Sequence, residues 1–164
     1  MHFEYCPHCG EKLGLKEIGD EGMLPYCTQC ETPFWDMFTT SVICAVVNEK
    51  NEIALLRQDY VSKTNYVCVA GILKLGECAE EAAKREISEE IGQTVKSLTY
   101  IRSYYYEKKQ MLMLGFLAKV EKSELVLSGE VDAAEWFTLT EALGKLREGG
   151  TAWKLVKEIL DQRM

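Results

Sequence analysis

Residues 71–93 read Gly71-Ile72-Leu73-Lys74-Leu75-Gly76-Glu77-Cys78-Ala79-Glu80-Glu81-Ala82-Ala83-Lys84-Arg85-Glu86-Ile87-Ser88-Glu89-Glu90-Ile91-Gly92-Gln93. The stretch begins as a glycine loop and continues in helix formers, with Ala79, Ala82 and Ala83 set among Glu and Lys. Gly76-Glu77 is expected to open the helix, and Gly92 to close it just past the last turn. Ala79, Ala83, Ile87 and Ile91 recur every four residues and form one apolar stripe. At about 100° per residue, Glu86, Glu89 and Glu90 fall in an arc of roughly 100° beside that stripe, and Lys84 and Arg85 are expected to project elsewhere. Like charges three and four residues apart cost about 0.2–0.5 kcal/mol per pair. These glutamates also sit in the last turns, at the negative end of the helix dipole. Stability does not explain such an arrangement, whereas a bound cation does. For the glutamates taken alone, a solvated acidic face is the alternative.

The spacing is Gly71, five residues, Glu77, seven residues, then Arg85-Glu86-Ile87-Ser88-Glu89-Glu90-Ile91-Gly92. This pattern resembles the Nudix box, the signature of hydrolases that cleave nucleoside diphosphates linked to another moiety. Gln93 stands where the pattern usually has an aliphatic residue, a departure expected at the rim. The resemblance implies a fold of the α/β class, the Nudix α/β/α sandwich with a mixed sheet. It also implies Glu86, Glu89 and Glu90 as ligands of Mg2+ or Mn2+, with Glu77 as a weaker ligand or a group that supports the ligands from behind. Such hard cations take oxygen ligands and keep several waters. Arg85 is expected to orient a carboxylate.

The rest of the chain reads in the same order. Thr39 to Val47 and Glu52 to Gln58 are β-rich runs joined by a turn at Asn48–Asn51. Tyr66 to Ala70, Val95 to Tyr106, Gln110 to Val120 and Ala133 to Thr138 read as strands. Thr140 to Arg147 and Thr151 to Gln162 read as helices, with Thr140 as a hydroxyl cap. Cys44 and Cys68 lie in apolar runs and read as buried small hydrophobes, and Cys78 as partly exposed.

Upstream, Cys6-Pro7-His8-Cys9-Gly10 and Cys27-Thr28-Gln29-Cys30 are separated by 17 residues. Two such pairs are the spacing of a four-thiolate structural zinc site, with Cys6, Cys9, Cys27 and Cys30 as ligands. Leu13, Leu15, Ile18, Met23, Leu24 and Tyr26 can form a small hairpin between them, and His8 is expected to be exposed. Residues 1–36 are thus expected to be a zinc ribbon whose folding depends on metal, and 37–164 the catalytic domain.

The chain has 164 residues, 47% of them hydrophobic, a net charge of −7 and a pI near 5.0. That balance disfavours non-specific nucleic-acid binding. It leaves a nucleotide substrate open, because divalent metal can carry the positive charge. No apolar run long enough to span a membrane and no signal-peptide pattern is present, so the expectation is no membrane partner and a cytoplasmic location. In that compartment the seven cysteines are not expected to form disulfides.

A zinc ribbon directly before a Nudix domain resembles the NADH pyrophosphatase branch, which hydrolyses NAD(H) to AMP and nicotinamide mononucleotide; some members remove NAD caps from RNA. Gly129-Glu130 followed by Trp136-Phe137 resembles that branch's segment, in which a Glu six residues before the Trp completes the metal site. The resemblance therefore places Glu130 with Glu89, Glu90 and Arg85 in the catalytic set, and Glu90 and Glu130 are both candidates for the base. Gly150-Thr151-Ala152 resembles the segment near the nucleotide, which points to Ala152 as a substrate contact. The branch's Ser-Gln-Pro-Trp-Pro-Phe-Pro is replaced by Ser103-Tyr104-Tyr105-Tyr106-Glu107-Lys108-Lys109. Tyr104, Tyr105 and Tyr106 are candidates to stack on a base, each with sheet packing as the alternative, and Tyr104 and Tyr106 share a face. The expected function is metal-dependent cleavage of a dinucleotide pyrophosphate, NAD(H) first and NAD-capped RNA a further candidate. ADP-ribose, FAD or another nucleoside diphosphate derivative is the alternative, or a non-catalytic nucleotide-binding regulator. The family resemblance also implies a homodimer.

Overall fold

The structure, a computed structural model, describes residues 3–162. The chain ends 1–2 and 163–164, which belong to the two expected domains, lie outside the described residues. The chain divides into two compact units, Met1–Phe38 and Thr39–Met164, a boundary two residues beyond the one expected.

In the first unit, β1 (Gly14–Glu17) and β2 (Met23–Cys27) form the expected antiparallel hairpin, and β3 (Thr32–Pro33) adds to β2. Of its core side chains, Cys6 and Cys27 are the fully buried ones, so this unit encloses sulfur rather than hydrocarbon.

The second unit is built on β4 (Thr39–Val47), β5 (Glu52–Gln58), β6 (Ser62–Val67), β7 (Val69–Ile72), α1 (Ala79–Ile91), β8 (Val95–Tyr106), β9 (Met111–Val120), β10 (Ala133–Thr138), α2 (Leu139–Lys145) and α3 (Thr151–Asp161). The sheet order is β10-β5-β4-β9-β8, with β4 parallel to β9 and the other pairs antiparallel. β4 and β5 pair only at Val46–Ala54 and Val47–Ile53, then separate. Into that gap run β6, paired to β5, and β7, paired to β4 from Ser41–Ile72 to Cys44–Val69.

Period-two alternation along β4 makes two cores from one strand. Val42, Cys44 and Val46 face α1 through Ala82, Ala83, Ile87 and Ile91. Ile43, Ala45 and Val47 face α2 and α3 through Leu139, Ala142, Leu155, Val156 and Ile159. Helices on both faces of a mixed sheet are the expected α/β/α sandwich.

Several expected boundaries move. Gly71 belongs to β7, not to a loop. α1 begins after Cys78, whose N–H donates to the Glu81 carboxylate at 3.0 Å, so Glu77 precedes the helix. α2 is capped by Thr138 rather than Thr140: its Oγ1 accepts from the Glu141 N–H, and the Glu141 carboxylate accepts from the Thr138 N–H, a reciprocal capping box. Gln93 is not at a rim. It is 1% exposed, its Nε2 donates to the Glu124 carbonyl at 2.9 Å, and its Oε1 accepts from Ser123. An aliphatic side chain there could not anchor the segment that follows β9. Among the described residues no helix is long and apolar enough to cross a membrane.

Candidate active site

Glu86 owes its position to Gly71. A Cβ at Gly71 would lie 1.9 Å from the Glu86 carboxyl carbon, so only glycine lets that carboxylate lie against β7. Gly71→Ala is therefore expected to displace Glu86 and lower turnover at least tenfold, leaving the circular dichroism spectrum unchanged. Wild-type turnover in the variant would refute the placement.

Arg85 departs from the expectation that it projects away. Its Nε and NH2 donate to Glu77 at 2.6 and 2.9 Å, and its NH1 donates to Glu86 at 2.6 Å and to Glu89 at 3.0 Å. Helical geometry alone put Arg85 beside Glu89, and the chain before α1 brings Glu77 back onto it. This guanidinium holds the Glu77 carboxyl down at about 2, with the Lys74 backbone N–H adding to the effect. The carboxylate arc is thus not left without positive charge. Arg85 fixes Glu77, Glu86 and Glu89 together.

Glu90 differs from its neighbours. It is 4% exposed, Oε1 accepts from Gln58 Nε2 at 2.8 Å, and Oε2 is buried without a hydrogen-bond partner. Burial pushes its carboxyl up to about 7. The Gln58 hydrogen bond opposes that shift, and the charges of Glu86 and Glu130 add to it. Glu130 reaches the site because the segment after β9 is tied to the end of α1: Val126 N–H donates to the Ile91 carbonyl and Ser128 N–H to the Glu90 carbonyl. Gly92, at φ +66°, makes room for Val126, which a Cβ would meet at 2.8 Å.

A cavity of about 1020 Å3 takes in Glu86, Glu90 and Glu130. Glu77 and Glu89 are not among its lining residues: Glu77 is turned onto Arg85, and Glu89 is half exposed between Arg85 and Lys74. Ala152 and Tyr106 line it. Tyr104 and Tyr105 do not. The Tyr104 ring packs over Gly115 in the core beneath α3, and Tyr105, on the opposite face of β8, is 62% exposed. Gln58, Tyr60 and Ser41 line the cavity as well, and sequence reasoning did not find them. A strand-end glutamine carries no sequence signal until its carboxylate partner, 32 residues away, is known.

By its chemistry the donor set suits a hard divalent cation, although among the described residues the four cysteines, and no set of three carboxylates, bring their ligand atoms within 4.8 Å of one another. Three carboxylates border one cavity, and one of them is buried with an unused oxygen.

In the first unit the sulfurs of Cys6, Cys9, Cys27 and Cys30 lie within 4.8 Å of one another, with Cys6–Cys30 at 3.9 Å and Cys9–Cys27 at 3.5 Å. Those separations are far longer than a disulfide and bracket the roughly 3.8 Å edge of a tetrahedron with Zn–S bonds of about 2.3 Å. Burial pushes the Cys6 thiol up, but N–H groups of Cys9 and His8 outweigh it and lower it to about 6. The neighbouring thiol of Cys9, then burial, then Cys27 and Cys6 push Cys30 up to about 12. Four thiols so close cannot all ionise without a cation among them. His8 is exposed, as expected; Cys44 and Cys68 are buried, and Cys78 is exposed.

A mixed sheet between helices, with an Arg-organised glutamate cluster at the end of β7, defines a Nudix fold and site. Residues 37–158 match the NUDIX domain, and the chain belongs to the Nudix family. It is similar to the NAD-capped RNA hydrolase NudC of Haemophilus influenzae, 32% identical over 163 residues covering 96% of this chain and 60% of that protein. The NAD-capped RNA hydrolase NudC of Pseudomonas aeruginosa is 31% identical over 139 residues, 84% of this chain and 49% of that one. The chain thus spans about half to 60% of the length of these curated relatives. A NUDIX hydrolase from Nitrosomonas europaea superposes with a TM-score of 0.73 at 18% identity, covering 98% of this chain and 92% of that one, and so shares the fold.

Proposed function

We propose that the chain hydrolyses the pyrophosphate of a dinucleotide, NAD(H) first, to AMP and nicotinamide mononucleotide. The observation that carries this reading is the buried, half-satisfied Glu90 carboxylate bordering one cavity with Glu86 and Glu130. The similarity to NAD-capped RNA hydrolases supports NAD(H) as the substrate and makes NAD-capped RNA a second candidate. Glu86, Glu90 and Glu130 would hold Mg2+ or Mn2+, with Glu89 and Glu77 contributing through Arg85. A bound divalent cation neutralises charge on the pyrophosphate oxygens.

The chain's own residues orient and select. Arg85 fixes Glu86, and Gln58 fixes Glu90. Water attacks one phosphorus, the bond from that phosphorus to the bridging oxygen breaks, and Glu90 or Glu130 takes the proton of the water. Tyr106 and Ala152 border the space for the nucleotide. Four cysteines in tetrahedral reach support a structural zinc. The family resemblance supports a homodimer, and the sequence-based expectation of a cytoplasmic location completes the reading.

The test is a panel of NADH, NAD, ADP-ribose, FAD, diadenosine polyphosphates and NAD-capped RNA with Mg2+ or Mn2+, with product identification. AMP and nicotinamide mononucleotide from NADH are expected. Cleavage of ADP-ribose or FAD in preference to NADH would move the assignment to another nucleoside diphosphate derivative. No turnover of any compound would leave a nucleotide-binding regulator.

A further inference from the structure

Ser41 lies on β4, 2% exposed, and its Oγ is buried without a hydrogen-bond partner. It lines the same cavity as Glu86, Glu90 and Glu130. Its register partners are Ile72 on β7 and Met113 on β9. Ile43, Met111, Met113 and Ala152 are apolar members of the cavity lining, and Met113 is the β9 register partner of Ser41. A buried hydroxyl left unpaired costs roughly 1–3 kcal/mol. The β4 positions that follow are Val42, Ile43, Cys44, Ala45, Val46 and Val47, none of which carries that cost. Ser41 and Ile43 are the β4 residues that line the chamber, and of the two Ser41 brings a buried polar group to it.

We propose that Ser41 determines substrate specificity by hydrogen bonding the polar edge of a planar nitrogen heterocycle of the substrate. This inference rests on the dinucleotide reading above. A dinucleotide whose pyrophosphate lies at Glu86 and Glu90 has a ring to place in the remaining chamber. The wall there suits a ring face, because methionine thioethers contact aromatic rings favourably. A serine hydroxyl both donates and accepts, as does the edge it would meet. Two rings carry such an edge: nicotinamide with its carboxamide, and adenine with its amino group beside a ring nitrogen.

The experiment compares wild type and Ser41→Ala by equilibrium binding and by turnover, with NADH and with ADP-ribose, which keeps adenine and lacks nicotinamide. The Kd and KM for NADH are expected to rise about 3- to 10-fold, the worth of one neutral hydrogen bond, with kcat little changed. A rise for NADH alone assigns the edge to nicotinamide, and a rise for both assigns it to adenine. Without ligand, Ser41→Ala is expected to melt at or above the wild-type temperature, because it removes an unpaired group. Unchanged Kd for both ligands, or weaker binding together with a lower melting temperature, overturns the proposal. Wild type that binds NADH without cleaving it sinks the proposed activity but leaves the Ser41 comparison readable from Kd. Wild type that binds neither ligand overturns both.

Discussion

Glu90→Gln is expected to lower kcat by roughly 10^3-fold, within the range that loss of a positioned acid–base or metal-liganding carboxylate produces. The amide preserves the volume and removes the charge that the cavity is arranged to offer a cation. Glu89→Gln is expected to cost less, because Glu89 is half exposed and borders Arg85 and Lys74 rather than the cavity. Stability should move the opposite way. In the metal-free protein the Glu90 carboxyl is raised from an ordinary 4.5 to about 7. The folded state therefore binds this proton more tightly than the unfolded chain. Its contribution to stability is fully present below pH 4.5 and is lost as pH rises through 7, a difference of about 3 kcal/mol at most. Glu90→Gln, being neutral at every pH, should lack that decline and melt above metal-free wild type at pH 8. Melting curves in chelator from pH 4 to 8, paired with kcat, check both effects. A variant with wild-type kcat, or one that melts lower than wild type at pH 8, would remove Glu90 from the proposed role.

Cys27→Ser is expected to unfold the first unit while the second keeps its fold. The reason lies in what the unit encloses: Cys6 and Cys27 are its fully buried core residues, and its sheet is a hairpin with a two-residue third strand. A module of this size does not fold on hydrocarbon burial alone, and structural zinc can supply about 10 kcal/mol of folding free energy. Cys27 is the most enclosed of the four cysteines; its sulfur accepts the Cys30 N–H at 3.3 Å and lies 3.5 Å from the Cys9 sulfur. Metal analysis should give one zinc per chain in wild type and almost none in the variant. Amide spectra should lose the dispersed signals of residues 3–38 and retain those of 39–162. Four titratable thiols in zinc-free native protein with an intact first unit would refute the site.

How much of this was legible beforehand depends on whether the partners of a residue lie near it in sequence. The helix α1, its apolar stripe and the closing Gly92 follow from local spacing, and so do the two cysteine pairs. β4 follows from its β-branched run, and β5 from a short apolar run set off by the turn at Asn48–Asn51. The cap of α2 was misplaced by two residues, because Thr138 and Thr140 are equally good local caps and only the reach to Glu141 separates them. Arg85 pairs with carboxylates, as its expected orienting role requires, but it does not project away from the arc: it stands one turn before Glu89, and the preceding segment, which a helical projection omits, adds Glu77. The tyrosine run showed alternation but not its consequence: Gly115 on the neighbouring strand accepts the Tyr104 ring, and Tyr106 is left for the cavity.

The sequence by itself determined which side chains stand together as candidate ligands, since glutamates one helical turn apart and cysteines with two residues between them share a face through local geometry alone. Only the tertiary structure decided how they differ. Burial between β7 and α1 sets Glu90 apart from Glu89, the absence of a Cβ at Gly71 gives Glu86 its place, and the gap between β4 and β5 brings Gln58 and Ser41 to the same cavity. Desolvation and long-range contact depend on everything that packs around a group, and no spacing along the chain records that.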